Sequence, residues 1–378
     1  MATLNPFIKA KRVVIKIGSA ILINPQNCQL NRDWLDAFCD DIAKLKSDGI
    51  DVVLVSSGAI ALGRSRLGLI GQKLSLSEKQ ACAAAGQSHL TQAYEQALAR
   101  HDIITAQALL TLNDTENRRR WLNARSTIGT LLEFKAIPII NENDTVATDE
   151  IRYGDNDRLA ARTAQMIGAD TLILLSDING LYTADPRQNK EAQHLAIIDK
   201  ITPDILKMGG EVNSSHNLST GGMATKLAAA QISTQAGCYM CIMDGSAGHP
   251  LERLEDGETT SWFKPVANPI DARRQWISGM LHPKGSLIID EGAVKALSNG
   301  KSLLAAGVRD ISGEFTKGDA VSIIKQDGRE IARGLVAYDK AEALKILGRK
   351  SSEIANILGY DNGSALVHRD NMVQHNHE

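Results

Sequence analysis

The sequence predicts an α/β fold in which helices cover a mainly parallel sheet, followed by a small β-rich domain. Short β-branched runs alternate with amphipathic segments through the first 260 residues, an alternation typical of a parallel sheet with helices on its faces. The composition changes after about residue 262, where KPVANPIDARRQ has two prolines and no periodic apolar pattern and so indicates a linker. We expect domains at 1–262 and 276–362, a linker at 263–275 and a C-terminal tail at 363–378.

Six runs in the first domain are predicted to be strands. Most of them are continuously apolar, which suits strands that are buried on both faces. They are RVVIKIG (12–18), DVVLVSSG (51–58), DIITAQALLT (102–111), AIPIIN (136–141), TLILLS (171–176) and YMCIMDG (239–245).

Helices are predicted between these strands. The segment 33–47 places its apolar side chains on one helical stripe and ends at Gly49, and the segments 77–100 and 115–135 have a similar pattern. In the second domain, Gln-Asp-Gly at 326–328 lies between two alternating runs and indicates a hairpin. Brief helices are expected there at 291–298, 341–347 and 351–358.

The composition favours a small-molecule role. The formal net charge of -2 and the pI near 6.5 provide neither the basic field of a nucleic-acid-binding protein nor a polybasic membrane surface. The five cysteines are odd in number and scattered, the N-terminus lacks a signal-peptide pattern, and no apolar run is long enough to span a bilayer. We therefore expect a soluble cytoplasmic protein that does not bind membranes.

Glycine- and hydroxyl-rich turns follow several strands, where α/β sheets place their ligands. In KIGSA (16–20), Lys16 ends the first strand and a Gly-Ser pair opens the next element, so an ammonium and backbone N–H groups could both meet a phosphate. In STGGMATK (219–226), paired glycines precede a helix that carries Lys226 in its first turns. Each turn taken alone also fits an exposed lysine beside an ordinary glycine turn. Neither a Walker A motif nor Gly-x-Gly-x-x-Gly occurs in the sequence.

The stretch NENDTVATDEIRYGDND (141–157) is unusually rich in acids and amides, with six carboxylates and three asparagines. It does not match the calcium-loop template D-x-[DN]-x-[DN]-G-x₅-E. A metal site, a pocket for an amine and a solvated loop all remain open from these residues alone.

Together, these stretches resemble the amino acid kinase family. The resemblance rests on six stretches in this order: IKIGSAIL, VSSGAIALG, INENDTVAT, GDND, LLSDINGLYTADPR and TGGMATK. Farther along, IDEGAVKAL, SLLAAGV, GEFTKGD, ILGY and ALVHRDNM resemble a PUA domain. The resemblance covers the whole chain and implies a three-layer α/β sandwich with a mainly parallel sheet, plus a small β-rich PUA-like domain.

The resemblance also implies an activity, which is ATP-dependent phosphorylation of the γ-carboxylate of L-glutamate to glutamyl 5-phosphate, the first step of proline biosynthesis. Mg²⁺ is expected to bridge the ATP phosphates, proline is expected to inhibit by competing with glutamate, and the chain is expected to form a homodimer or homotetramer. No metal ligand is assigned.

Residue roles follow from the same resemblance. Lys16 and Lys226 are expected to approach the transferring phosphoryl group, with the carboxylate of Asp157 between them. Substrate contacts are expected from Ser57, Gly58, Asp144 and Asn156. ATP contacts are expected from Lys16, Ser176, Asp177, Thr220, Gly221, Gly222, Met223, Ala224, Thr225 and Lys226. No task is assigned to Asp149, Glu150 and Asp155.

The sequence leaves two other functions open. PUA-like modules are best known for binding RNA, which makes an RNA-binding or regulatory protein on a kinase-like scaffold one alternative. Residues 264–378 contain 16 Lys and Arg against 14 Asp and Glu, a margin too small for an RNA footprint. The other alternative is a related kinase that acts on acetylglutamate, aspartate or a carbamate.

Two short motifs favour structural interpretations. Cys238 and Cys241 form a C-x-x-C pair within a predicted strand, where positions i and i+3 point to opposite faces, so buried small side chains are expected and not a zinc site. The run of three arginines at 118–120 is expected to form a solvated helix face.

Overall fold

The structure is a computed structural model that describes residues 5–146, 156–210, 222–266, 283–360 and 363–374. The chain divides into two compact units, Met1–Ile270 and Asp271–Glu378. Within the described ranges, no helix combines the length and the apolar character that crossing a membrane requires.

The first unit alternates strands and helices. Its strands are β1 Arg12–Ile17, β2 Asp51–Ser56, β3 Thr105–Leu110, β4 Ile137–Glu142, β5 Thr171–Ser176, β6 Leu181–Tyr182, β7 His194–Leu195, β8 Ile197–Ile198, β9 Tyr239–Asp244 and β10 Thr260–Phe263. Its helices are α1 Ser19–Leu22, α2 Arg32–Ser47, α3 Ala59–Arg66, α4 Leu76–Ala99, α5 Leu112–Glu116, α6 Arg118–Glu133, α7 Asn156–Ile167, α8 Pro203–Lys207, α9 Met223–Gln235 and α10 Pro250–Glu255.

The main sheet has the strand order β3-β4-β2-β1-β5-β9-β10-β8. The first six of these strands pair in parallel, and they are the six strands that the sequence predicts. Their apolar runs are continuous because helices cover both faces of the sheet, and Val14, Ile15 and Ile173 are fully buried. The mainly parallel α/β fold is confirmed.

The register of the central strands brings their carboxyl ends to one edge. Lys16 on β1 lies opposite Val55 on β2 and Leu174 on β5. Polar residues that follow each of these strands therefore meet at the same edge of the sheet, where α/β proteins bind ligands.

The local sequence explains where the long helices begin and end. Helix α2 is capped by the Asn31 side chain, which accepts a hydrogen bond from Trp34 N, and Gly49 follows it with φ +79°. Helix α4 begins with a capping box between Ser75 and Glu78. The helices predicted at 33–47 and 77–100 are confirmed.

The segment predicted as one helix at 115–135 is two helices. Helix α5 ends at Glu116, and Asn117 then adopts φ -75° and ψ 115° and caps α6 by accepting a hydrogen bond from Arg120 N. An asparagine at this position favours a new helix start over helix continuation.

The sequence pattern did not predict the four short strands β6, β7, β8 and β10. Strand β10 pairs antiparallel with β9, whereas β8 pairs parallel with β10 at the sheet edge. These strands are only two to four residues long, so they offer too few residues for a period to be visible.

The second unit is built on its own six-stranded sheet with the order β12-β16-β15-β14-β11-β13. Its elements are β11 Gly285–Ile289, α11 Glu291–Ser298, β12 Leu303–Leu304, β13 Val308–Gly313, β14 Ala320–Lys325, β15 Glu330–Val336, α12 Lys340–Ile346, α13 Ser351–Leu358 and β16 Ala365–Gln374. The predicted hairpin is confirmed, since β14 and β15 pair antiparallel and Gly328 between them has φ +87°. The three predicted helices are also present.

The tail predicted at 363–378 requires a correction. Residues Ala365–Gln374 form β16, which pairs with β12 and β15 inside the sheet, and Leu366 and Val367 are buried. The run His368-Arg369-Asp370 is exposed in the middle of this strand and conceals the strand pattern. The linker predicted at 263–275 lies mostly outside the described residues.

Candidate functional site

A cleft of about 1530 Å³ lies at the carboxyl ends of the parallel strands in the first unit. Lys16 reaches it from β1, Ser57 from the residue after β2, and Asn141 from the end of β4. The predicted site residues that line it are Lys16, Ser57, Gly58, Asp144, Asn156, Ser176, Asp177, Gly222, Met223 and Lys226.

Two lysines of this cleft share one carboxylate. Lys16 Nζ lies 2.7 Å from Asp157 Oδ1, and Lys226 Nζ lies 3.3 Å from Asp157 Oδ2. These side chains are 2–8% exposed. Both lysines line the cleft, whereas Asp157 does not. The two ammonium groups are therefore placed to face a ligand in the cleft, and the Asp157 carboxylate holds them from the side away from the cleft.

The electrostatics of Asp157 keep it ionised. Burial taken alone would raise the pKa of this carboxyl, but Lys16 and Lys226 beside it lower the pKa to about 2. The Thr225 hydroxyl contributes to this lowering by donating a 2.9 Å hydrogen bond to Asp157 Oδ2. With both lysines protonated, the group of three side chains carries a net charge of +1, which suits an anionic ligand.

A cluster of amides and hydroxyls lies elsewhere on the cleft wall. Asn156 Nδ2 donates to Ser57 Oγ at 2.8 Å, to Asn141 Oδ1 at 3.0 Å and to the Ser56 carbonyl at 3.3 Å. Asn156 Oδ1 is buried and has no hydrogen-bond partner within the described ranges. A buried acceptor without a partner is costly, so this oxygen favours a ligand that donates a hydrogen bond.

Asp144 is a buried carboxylate that lines the cleft, next to the buried Glu142 two positions earlier. It is 8% exposed, and burial raises its pKa to about 6. No cation pairs with it among the residues that the structure describes, in contrast to Asp157. A positively charged ligand group beside Asp144 would favour its ionised form.

Gly58 allows the chain to turn sharply between β2 and α3. Its φ is +107°, and a Cβ at this position would come within 2.8 Å of Ile23 Cγ1. The turn directs the N-terminus of α3 to the cleft, and Ala59 and Ile60 of its first turn are part of the wall.

The end of β5 and the start of α9 form another part of the wall. Ser176 Oγ donates to Asp177 Oδ1 at 3.2 Å, and Arg187 lies 3.1 Å from Asp177 Oδ2. Burial acts to raise the pKa of Asp177, but Arg187 and the hydrogen bonds outweigh it and the pKa is lowered. Helix α9 starts after Gly222 with no side-chain cap, which leaves N–H groups for an anion.

The remaining predicted residues have different positions. Ala224 and Thr225 are on α9 but do not line the cleft. Thr220 and Gly221 lie outside the described residues, as do Asp149, Glu150 and Asp155.

Sequence reasoning missed Asn141 and Arg187, which line the cleft, and Gln87, which accepts a hydrogen bond from Asn141 without lining the cleft itself. Asn141 is the penultimate residue of β4, as Lys16 is of β1, so the strand-end rule that selected Lys16 could also have selected it. Gln87 lies inside the long helix α4 and is not part of any sequence motif that indicates a site. Arg187 is the last residue of the LLSDINGLYTADPR stretch, but only the structure shows its contact with Asp177.

Of the two structural motifs, the cysteine pair has the expected environment and the arginine run has it only in part. Cys238 and Cys241 are free and buried, and burial raises the pKa of both thiols. In the arginine run, Arg119 and Arg120 are exposed and Arg120 pairs with Asp114, whereas Arg118 is half-buried and its Nε and Nη2 atoms are shielded from solvent.

A parallel α/β sheet whose carboxyl edge holds two buried lysines and an uncapped helix N-terminus is the architecture of a phosphate-handling protein. Comparisons with known proteins agree with this class. The model of the amino acid kinase family matches residues 11–244, and the PUA domain model matches residues 285–358. The chain belongs to the amino acid kinase family.

Relatives that align over nearly the whole chain include bacterial proteins named glutamate 5-kinase. The one from Rhizobium etli is 56% identical over 373 residues, which cover 99% of this chain and 95% of the relative. The one from Agrobacterium fabrum is 56% identical over 371 residues, which cover 98% of this chain and 95% of the relative. Among solved structures, UMP kinase from Ureaplasma parvum aligns with 67% of this chain and 98% of its own, with 18% identity and a TM-score of 0.47.

Proposed function

We propose that the chain transfers the γ-phosphoryl group of ATP to the γ-carboxylate of L-glutamate and forms glutamyl 5-phosphate. The names of its relatives support this reaction. The structural observation that carries it is the pair of buried lysines that share Asp157. They line the same cleft as the carboxylate of Asp144, for which the described part of the chain offers no cation partner. The first arrangement suits a phosphoryl group and the second suits the ammonium of an amino acid.

The reaction needs cations more than it needs a base. A glutamate γ-carboxylate is already ionised at neutral pH, so one of its oxygens attacks the γ-phosphorus while the bond to the bridging oxygen of ADP breaks. Negative charge develops on the transferring oxygens, and Lys16 and Lys226 stabilise it. Asp157 is the positioning residue that fixes both ammonium groups.

Glutamate is recognised by the amide and carboxylate groups of the cleft. Asp144 pairs with the substrate ammonium, and Asn156 Oδ1 accepts one of its hydrogen bonds. Ser57 donates or accepts a further bond, and Gly58 permits close approach of the backbone.

ATP is held by the part of the cleft wall that the end of β5 and the start of α9 form. The N-terminus of α9, from Gly222 through Met223 to Lys226, binds phosphate through N–H groups and the lysine charge. Ser176 and Asp177 contact the nucleotide at the end of β5. Thr220, Gly221, Ala224 and Thr225 complete the ATP loop by their resemblance to the family pattern.

Mg²⁺ enters with ATP in this proposal. Within the described ranges, the one cluster of three possible metal ligands is Asp41, His249 and Glu252, which do not line the cleft. The cleft still fits Mg²⁺, because this ion takes oxygen ligands from phosphates, water and one or two carboxylates, and Asp177 and Asp185 present exposed carboxylates on the wall. When bound, the ion neutralises phosphate charge.

Proline inhibition is part of the same proposal. Proline has an α-ammonium and an α-carboxylate like those of glutamate, so Asp144 would attract both. We expect proline to raise the KM for glutamate without lowering kcat. Inhibition that saturating glutamate does not relieve would contradict a shared site. We also propose that the enzyme acts in the cytoplasm, where ATP is available, as a homodimer or homotetramer.

A hydroxamate assay with ATP and glutamate tests the function directly, because hydroxylamine traps an acyl phosphate. The purified chain should form glutamyl hydroxamate only when both substrates are present. Lys226→Ala should lower kcat by about 100-fold or more, the cost of losing one donor to the transition state. Lys345→Ala, which removes an exposed lysine in the second unit, is the matched control. Undiminished activity of Lys226→Ala would contradict the role of that lysine.

A related kinase with another acid substrate is the second candidate. Asp144 favours a substrate with a free ammonium, and acetylglutamate lacks one. A panel of glutamate, acetylglutamate, aspartate and carbamate decides between them, and a clear preference for any acid other than glutamate would overturn the proposal.

A further inference from the structure

Asn156 could present either end of its amide to a ligand, because the two ends have the same shape but opposite hydrogen-bonding character. Only one orientation satisfies its neighbours. The Ser56 carbonyl accepts and cannot donate, so the atom 3.3 Å from it is Nδ2. The same NH₂ group reaches Asn141 Oδ1 at 3.0 Å. The acceptor oxygen of Asn156 is therefore the end that remains for the substrate.

Asn141 has a fixed polarity as well. The backbone N–H of Glu142 donates to Asn141 Oδ1 at 2.9 Å, so the atom at that position must be the oxygen. Its NH₂ group then points the other way and donates to Gln87 Oε1 at 2.7 Å. Asn141 is 3% exposed, which gives this NH₂ group little access to water.

Gln87 ends this chain of bonds on helix α4. The Thr91 hydroxyl donates its proton to the backbone carbonyl of Gln87 at 3.0 Å, so toward side chains Thr91 Oγ1 acts only as an acceptor, as it does for Gln107 Nε2 at 2.9 Å. Gln87 Nε2 lies 3.3 Å from that oxygen. This contact places Nε2 toward Thr91 and Oε1 toward Asn141. The polarity of every amide from helix α4 to the cleft is thus determined.

We propose that Gln87 is a positioning residue for the amino acid substrate. Through Asn141 it keeps Asn156 oriented with Oδ1 available to the substrate ammonium, although Gln87 itself does not line the cleft. The proposal rests on the proposed function, because it assigns the Asn156 oxygen to an amino acid. It extends the substrate site to a residue on a helix that packs behind the sheet edge.

Removal of the Gln87 acceptor should weaken glutamate binding selectively. In Gln87→Met, the buried NH₂ group of Asn141 has no acceptor, and Asn141 must turn away from Asn156 to find one. We expect the KM for glutamate to rise about 10-fold, whereas the KM for ATP stays within about 2-fold, since Ser176 and α9 are not part of the amide chain. A difference of this size corresponds to about 1.4 kcal/mol of binding free energy.

Gln87→Glu is the conservative variant that tests the mechanism. Glutamate at this position has an acceptor oxygen for Asn141 in either protonation state, so the KM for the substrate should return to within about 3-fold of the wild-type value. Thr91→Val removes the acceptor that orients Gln87 and should raise the KM by a smaller factor than Gln87→Met. Gln92→Met changes an exposed glutamine on the same helix and serves as the control.

The experiment measures steady-state kinetics of the full chain for both substrates, together with thermal unfolding of each variant. Equal rises in the KM for glutamate and ATP, or a Gln87→Glu variant as impaired as Gln87→Met, would overturn the proposal in favour of general destabilisation. A Gln87→Met variant with the kinetics of Gln92→Met would also overturn it. Failure of the proposed function is distinguishable, because the wild-type chain would then not phosphorylate glutamate at all.

Discussion

Replacement of Asp157 by asparagine keeps the volume of the side chain but removes the charge that Lys16 and Lys226 share. The two ammonium groups lie 2.7 and 3.3 Å from the carboxylate oxygens and are nearly inaccessible to water. Removal of one partner from a buried ion pair typically costs about 3–5 kcal/mol, because a buried charge is left without compensation. We expect Asp157→Asn to lower the free energy of unfolding by about that amount.

The same substitution should reduce catalysis more than substrate binding. Without the carboxylate, the lysines repel each other and leave the positions in which they meet the phosphoryl group, so we expect kcat to fall by about 100-fold. The KM for glutamate should change little, because the side-chain bonds described for Asn156 go to Ser56, Ser57 and Asn141 and not to the Asp157 carboxylate. Urea unfolding and the hydroxamate assay measure these two quantities.

The pH dependence of stability provides a second readout of Asp157. Its pKa is lowered from 3.8 to about 2, so the carboxylate contributes stability above pH 4 that is lost as the pH falls toward 2. A shift of this size corresponds to about 2–3 kcal/mol. This acid-dependent loss should be absent in Asp157→Asn.

Asp36→Asn is the matched control, because Asp36 pairs with Arg100 at 3.2 Å while both side chains are nearly half exposed. A surface pair of this kind contributes about 0–1 kcal/mol. If Asp157→Asn unfolds with the same free energy as Asp36→Asn and retains wild-type kcat, the electrostatic role assigned to Asp157 is refuted.

Three further outcomes are expected. Burial raises the pKa of Asp144 to about 6, so kcat/KM for glutamate should fall as the pH drops below 6. Asp144→Asn should lower kcat/KM and abolish this decrease at low pH. An unchanged pH profile would contradict the ammonium contact. Gly58→Ala forces a Cβ against Ile23 at φ +107° and should lower the free energy of unfolding in urea by about 1–3 kcal/mol. Gly49→Ala, where φ is +79° and the space is open, should lower it less. Equal losses would refute the steric argument. A chain ending at residue 362 loses β16 and the buried side chains of Leu366 and Val367. Limited proteolysis should therefore degrade its second unit, whereas a chain ending at Gln374 should resist. Equal resistance would show that β16 is dispensable.

The main sheet was predictable because burial on both faces leaves a continuous apolar run in each parallel strand. Strands β1 and β5 are of this kind, and each can be recognised in the sequence without knowing which strand it pairs with. The last strand of the second unit was not predictable in the same way. Its exposed centre at Arg369 interrupts the apolar pattern, and only pairing with β12 and β15 gives it a strand structure.

The site was predictable to the extent that its residues follow strands or share the family motifs. Lys16 and Ser57 come from strand ends that parallel pairing brings together. The hydrogen-bond chain behind Asn156 was not predictable, because Gln87 and Asn141 are 54 positions apart and no local pattern relates a glutamine within a helix to an asparagine at a strand end. The raised pKa of Asp144 likewise depends on burial, which the sequence does not reveal.

The ion pairs of Asp157 join segments that are synthesised far apart in time. Lys16 belongs to the first strand, whereas Lys226 lies on α9, near the end of the first unit. A growing chain on the ribosome therefore exposes Lys16 and Asp157 long before Lys226 is made. Until then it can form only one of the two ion pairs and lacks the second of the two lysines that we propose contact the phosphoryl group. If that proposal holds, kinase activity cannot begin before Lys226 has been synthesised, and its appearance would report that α9 has docked against the sheet.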